Sequence, residues 1–232
     1  MPAPCKTKPV NSEDKANIVS ALRVLILDFD GVVIESNAVK TEAFQYVFAR
    51  FPEYAEAMMA FHHAHVSLSR FAKFEHLLAL MGKSDDTAFK SDIAADFSRR
   101  VLEGMMTVPL VTGAEDFLRK MSLRLPVYLA SVTPADELAE ILAQCGLAHW
   151  FCGVYGCPPW TKPAAIRDVL TREAVKPGNA LLIGDSAGDQ HAAQVTGVDF
   201  LARNSGLSFD APAPLIFADM IEITKHIEEL LP

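Results

Sequence analysis

Two aspartates one residue apart close an apolar run in the stretch LILDFDGVVIES, where Asp28 and Asp30 are followed at once by Gly31. Like charges at the end of a buried strand repel, so the pattern calls for a partner. Further along, ASVTP supplies Ser131 and Thr133, WTKP supplies Lys162, and GDSAGD supplies Asp185 and Asp189. Carboxylates packed together repel strongly unless a proton or a cation intervenes. A hard divalent cation on oxygen ligands answers that need. Mg²⁺ fits best, because it keeps waters and takes a substrate phosphate oxygen as a further ligand.

The elements that position these residues can be read from hydropathy. RVLILDF, LPVYLASVT, NALLIGD, GVDFLAR and FCGVYG are short apolar runs without clean alternation. That pattern suits strands buried on both faces, as in a parallel sheet. Helical patterns lie between them. PADELAEILAQCG has Pro134 at an expected first helical position and Gly146 as its stop. KPAAIRDVLTREA and DQHAAQVTG are the next two. The alternation predicts an α/β fold with a doubly wound, Rossmann-like parallel sheet. Ligands bind at the carboxyl ends of strands in such sheets. Asp28, Asp30, Ser131, Thr133, Lys162, Asp185 and Asp189 therefore converge on one crevice.

Residues 37–109 break the alternation and contain only helical stretches, of which DDTAFKSDIAADFSRRVLEGMM is strongly amphipathic. This reads as an all-helical cap inserted into a core formed by residues 1–36 and 110–232, with residues 1–20 as a polar lead-in. Within the cap, Arg70 and Lys73 lie three apart on one helix and share a face. That face is either solvated or turned to the crevice, where it would hold a second anionic group of a substrate. His62, His63 and His65 form either a metal cluster or a set of packed and solvated histidines.

Composition narrows the function classes. The chain has 232 residues, half of them hydrophobic, and a formal net charge of −8. An acidic balance argues against non-specific nucleic-acid binding, which needs a basic face. No apolar run approaches the roughly 20 residues of a membrane span. The four cysteines fit no CxxC pattern and read as reduced structural thiols, which suggests the cytoplasm.

Taken in order, DFDGVV, ASVTP, WTKP and GDSAGD resemble the haloacid dehalogenase superfamily of phosphatases and phosphomutases. The resemblance runs from about Arg23 to Arg203 and includes the position of the helical insertion. It implies that Asp28 is the nucleophile forming an aspartyl-phosphate and Asp30 the general acid and base. It implies Mg²⁺ ligands at Asp28, the Asp30 carbonyl and Asp185, with Asp189 supporting. Ser131 would hydrogen-bond the phosphoryl group, with Thr133 free to cap the helix that follows. Lys162 would offset charge on Asp28 and the phosphate. Gly31 and Val132 complete the expected substrate contacts, and Arg70 and Lys73 would add theirs from the cap. The implied activity is magnesium-dependent hydrolysis of a small phosphate monoester such as a phosphosugar, phosphoglycolate or a nucleoside monophosphate. A phosphomutase is the alternative, although hexose phosphomutases carry a histidine near the place of Lys40. A non-catalytic binding protein is the third reading. Asp30 argues against dehalogenation. The expected partner is a small phosphorylated metabolite, and the expected assembly a monomer or homodimer.

Overall fold

The computed structural model describes residues 22–231 except 106 and 213. The expected lead-in over residues 1–20, and Cys5 within it, lie outside the described residues.

Among the described residues, six parallel strands form one sheet: β1 (Val24–Leu27), β2 (Val127–Ala130), β3 (Gly153–Tyr155), β4 (Ala180–Gly184), β5 (Asp199–Arg203) and β6 (Leu215–Phe217). Their spatial order is β3-β2-β1-β4-β5-β6. β1 is central, with β2 on one side and β4 on the other, in register at Leu25↔Val127 and Leu25↔Leu181. Successive side chains of a strand point to opposite faces. Leu25 and Leu27 accordingly join Val127, Leu129 and Ile183 in one buried cluster. Val24 and Ile26 join Tyr128, Ala130 and Leu182 in another. Both faces of the sheet are covered, which accounts for the absence of alternation in these runs.

Four helices follow β1: α1 (Asn37–Phe48), α2 (Pro52–Ala64), α3 (Arg70–Leu80) and α4 (Thr87–Met105). α4 buries Ile93, Phe97, Val101 and Met105, a stripe at spacing four. Phe44 of α1 sits at the centre of this helical layer, 4.4 Å from the Phe97 ring, 6.0 Å from Phe74 and 5.6 Å from Phe48 between centroids. Burying each such side chain contributes about 1.5–3 kcal/mol of transfer free energy. The chain enters and leaves the layer side by side: Ile34 bridges Leu110, and Glu35 N–H donates to the Pro109 carbonyl at 3.0 Å.

The remaining helices are α5 (Ala114–Met121), α6 (Ala135–Gln144), α7 (Lys162–Arg172), α8 (Ala187–Thr196) and α9 (Met220–Leu230). Pro134 is the cap of α6 and not its first helical residue. Gly146 takes a φ of 69° just beyond the helix end, which suits its expected role as a stop. β6, α5 and α9 went unread in the sequence. β6 has three residues and α5 eight, too short for a clear period. No helix among the described residues is long and apolar enough to cross a membrane.

Candidate active site

The crevice opens at the carboxyl end of β1, where its neighbours in the sheet lie on opposite sides in the chain order, the switch point at which α/β sheets bind ligands. Asp28 and Asp30 lie just beyond β1, Ser131 and Thr133 beyond β2, and Asp185 beyond β4, while Lys162 opens α7. The cap closes the other wall. Together they enclose a cavity of about 330 Å³.

Among the described residues, one group of carboxylates could hold a metal ion: Asp28, Asp185 and Asp189, each offering an oxygen within 4.8 Å of the others. Asp28 Oδ1 is buried beside Lys162 Nζ, which lies 2.9 Å away at ion-pair distance. Burial pushes the Asp28 carboxyl well up, and Asp189 adds to that while Lys162 opposes it. Burial, then Asp189, push Asp185 up to about 6. Three buried carboxylates with oxygens this close, in a cluster that resists ionisation, are the donor set a hard cation requires. The residues therefore fit Mg²⁺.

Each carboxylate is aimed by specific partners. Asn37 Nδ2, at the first position of α1, donates to Asp185 Oδ2 at 2.7 Å. Asp189 Oδ2 accepts from Ser186 Oγ at 2.6 Å, Ser186 N at 3.1 Å and Asp185 N at 3.2 Å, and Lys162 takes Oδ1. Both oxygens of Asp189 are thus engaged at the start of α8. Gly31, at φ 70°, passes so close to Asp185 that a Cβ would lie 2.0 Å from Oδ2. Only glycine fits there.

Asp30 faces donors alone. Ser36 Oγ donates to Oδ1 at 2.5 Å, Lys40 is ion-paired with Oδ2, and Thr133 Oγ1 donates to Oδ2 at 3.2 Å. Burial disfavours its charge, but Lys40, Ser36 and Thr133 more than offset this and hold the carboxyl below its usual range. Thr133 does not cap α6; its hydroxyl serves Asp30 and accepts from Lys40 at 2.8 Å. Ser131 accepts from Thr133 N at 3.1 Å and reaches Asp30 Oδ2 at 3.4 Å, and it does not itself line the cavity. Val132 does, and Gly31 does not.

From the cap, Asn37, Lys40, Thr41 and Phe44 line the cavity from one face of α1. Their spacing of three, four and seven was the signal by which Asn37 and Lys40 could have been found. Arg70 and Lys73 are both buried and both line the cavity. Arg70 is committed elsewhere, however: Glu137 of α6 accepts from both its terminal nitrogens at 2.6 Å, and Ser98 from one at 2.8 Å. His62, His63 and His65 do not converge on a point. His62 is buried against Phe44, and the other two are exposed. Ser67, in the loop between α2 and α3, accepts from Gly188 N of the core at 3.1 Å. Sequence reasoning also missed Arg203, whose Nη1 reaches the Gly31 carbonyl at 3.2 Å and Glu35 at 2.9 Å. Cys145, Cys152 and Cys157 are free thiols.

The sequence model of one family, haloacid dehalogenase-like hydrolase, matches residues 25–203. No curated protein sequence matches the chain significantly. Among solved structures, a predicted phosphoglycolate phosphatase from Haemophilus somnus is 15% identical with a TM-score of 0.69, over 88% of this chain and 97% of that one. A β-phosphoglucomutase from Clostridium difficile is 14% identical with a TM-score of 0.69, over 90% and 98%. The haloacid dehalogenase-type hydrolase YfnB from Bacillus subtilis, solved bound to magnesium, is 19% identical with a TM-score of 0.65, over 89% and 98%. At these identities the likeness establishes the fold.

Proposed function

The chain belongs to the haloacid dehalogenase-like hydrolase family, and from that premise we propose that it hydrolyses a small phosphate monoester through a phosphorylated Asp28, with Mg²⁺ as cofactor. The observation that carries this reading is the buried group Asp28, Asp185 and Asp189 with Lys162 beside it. The magnesium-bound hydrolase of Bacillus subtilis, which shares the fold, is consistent with it.

Asp28, the Asp30 carbonyl and Asp185 would hold the ion, and Asp189 would support them. Bound there, it would neutralise the clustered carboxylates and reduce charge on the phosphoryl group. The chain's own residues do the rest. The Asp28 carboxylate attacks phosphorus, the bond to the ester oxygen breaks, and Asp30 gives the leaving alcohol its proton. Water then attacks the aspartyl-phosphate at phosphorus, Asp30 takes its proton, and phosphate leaves with Asp28 restored. The ionised Asp30, held by Lys40, Ser36 and Thr133, suits this second half. Donation in the first half uses the proton that Asp30 took from water in the preceding turnover, which it can keep only where Lys40 has released it. Lys162 steadies charge on Asp28 and the transferring group, which is the main demand of phosphoryl transfer.

Residues 37–109 act as the cap that closes this chemistry from water. A cavity of about 330 Å³ suits a small metabolite. Phosphate release from a panel of small phosphate esters, with Mg²⁺ and with chelator, tests the reading. Magnesium-dependent release is expected, and release undiminished by chelator would refute the metal's role.

A further inference from the structure

Among the described residues, four lysine and arginine side chains line the cavity: Lys40, Arg70, Lys73 and Lys162. Three have carboxylate partners, Lys40 in Asp30, Arg70 in Glu137, and Lys162 in Asp28 and Asp189. Lys73 is the exception. Among the described residues no carboxylate lies at ion-pair distance from it, although it is only 1% exposed. A buried ammonium without a counter-charge is unfavourable, and proteins rarely keep one.

Burial, and then the charge of Lys40, lower the pKa of Lys73 to about 7, and its surroundings hold the side chain in place without supplying a counter-charge. Nζ lies 3.0 Å from His62 Nδ1 and 3.2 Å from the Val66 carbonyl, and 4.6 Å from the Phe44 ring centroid. All three of these neighbours line the cavity too. When charged, the ammonium can only donate, so His62 Nδ1 then accepts and Nε2–H donates to Thr41 Oγ1 at 3.2 Å; Thr41 in turn donates to the Asn37 carbonyl at 3.0 Å. Two of the three ammonium hydrogens are used, and one is left. The side chain is fixed from several elements and lacks only an anion.

We propose that Lys73 receives a second anionic group of the phosphate ester, so that the substrate is a phosphorylated acid or a bisphosphate and not the ester of a neutral alcohol. This rests on the phosphatase reading of the site. Arg70, three residues earlier on the same helix, is not the receptor, because Glu137 and Ser98 occupy its guanidinium.

Two pairs of esters test this, each differing by one anionic group: 3-phosphoglycerate against the similarly sized glycerol 3-phosphate, and propane-1,3-diol bisphosphate against its monophosphate. With Mg²⁺, the wild type is expected to favour the more anionic member of at least one pair by about tenfold or more in kcat/KM, the strength of one hydrogen bond to a charged group. Most of the preference should sit in KM. Which pair shows it tells whether the second group is a carboxylate or a phosphate. Lys73→Met fills the same space without the charge and should bring that ratio close to one, while Lys73→Arg should restore part of it. A thermal melt of Lys73→Met checks that it folds. Equal cleavage within both pairs by the wild type, or a preference that survives Lys73→Met, would overturn the proposal. No release from any of the four esters would instead overturn the phosphatase reading beneath it.

Discussion

Lys162 Nζ lies 2.9 Å from Asp28 Oδ1 and is also hydrogen-bonded to Asp189 Oδ1, so a single ammonium stands between the two carboxylates. Burial works against its charge, but Asp189 and Asp28 more than offset this and raise its pKa. Lys162→Met would leave those carboxylates facing one another. The expected result is a loss of roughly hundredfold or more in kcat, the scale of removing one group that stabilises developing charge. The variant's Tm should also fall more in chelator than in Mg²⁺, since the cation takes over the neutralising role.

Asp185 carries a second expectation. Its carboxyl is pushed up to about 6 by burial and Asp189. A raised carboxyl contributes stability that is complete below its ordinary value near 4 and is lost as pH rises through the folded value. The metal-free protein should therefore lose stability between about pH 4 and pH 6. Near neutral pH, saturating Mg²⁺ should raise Tm by roughly 5–10 °C, as a ligand at about a hundred times its Kd contributes about 2.7 kcal/mol. Asp185→Asn should abolish that rise, and melts with Mg²⁺ and with chelator measure it.

Asp30 gives the opposite sign. Its carboxyl is held below the usual range against burial, with Lys40 the main cause. Stability from this group is present above the ordinary carboxylate value and lost as pH falls through the lower folded value. Wild-type protein should lose stability below about pH 4 partly through this pair. Lys40→Met should flatten that part of the curve. Denaturant melts from pH 2 to 6, roughly spanning the carboxylate range, decide the point.

The buried pair Arg70–Glu137 joins α3 of the cap to α6 of the core, with side-chain exposures of 4% and 7%. Removing one partner leaves a buried charge alone, which costs about 3–5 kcal/mol. Arg70→Met and Glu137→Leu should each destabilise on that scale. The double substitution should recover most of the loss, giving a strongly non-additive cycle in urea unfolding.

The chemistry of the core was legible because each motif ended a strand, and the sheet topology does the gathering: β1, β2 and β4 are neighbours and bring Asp28, Ser131 and Asp185 together. The cap helices were legible from their period. What escaped was contact across distant segments. Nothing in the local pattern tells that Glu137 will claim Arg70, that Asn37 will reach Asp185, or that Thr133 will serve Asp30 instead of capping α6. The sequence placed Arg70 and Lys73 on one face, and only the fold separates an arginine that is paired from a lysine that is not.

The measurement that bears most directly on the central claim is phosphate release by Asp28→Asn beside the wild type, on the panel's best ester and with equal Mg²⁺. An amide cannot replace the carboxylate as nucleophile, so release should fall by roughly a thousandfold or more, as when a covalent nucleophile is removed. Release within a few fold of the wild type would mean that Asp28 does not carry the phosphoryl group, and the covalent mechanism would be wrong.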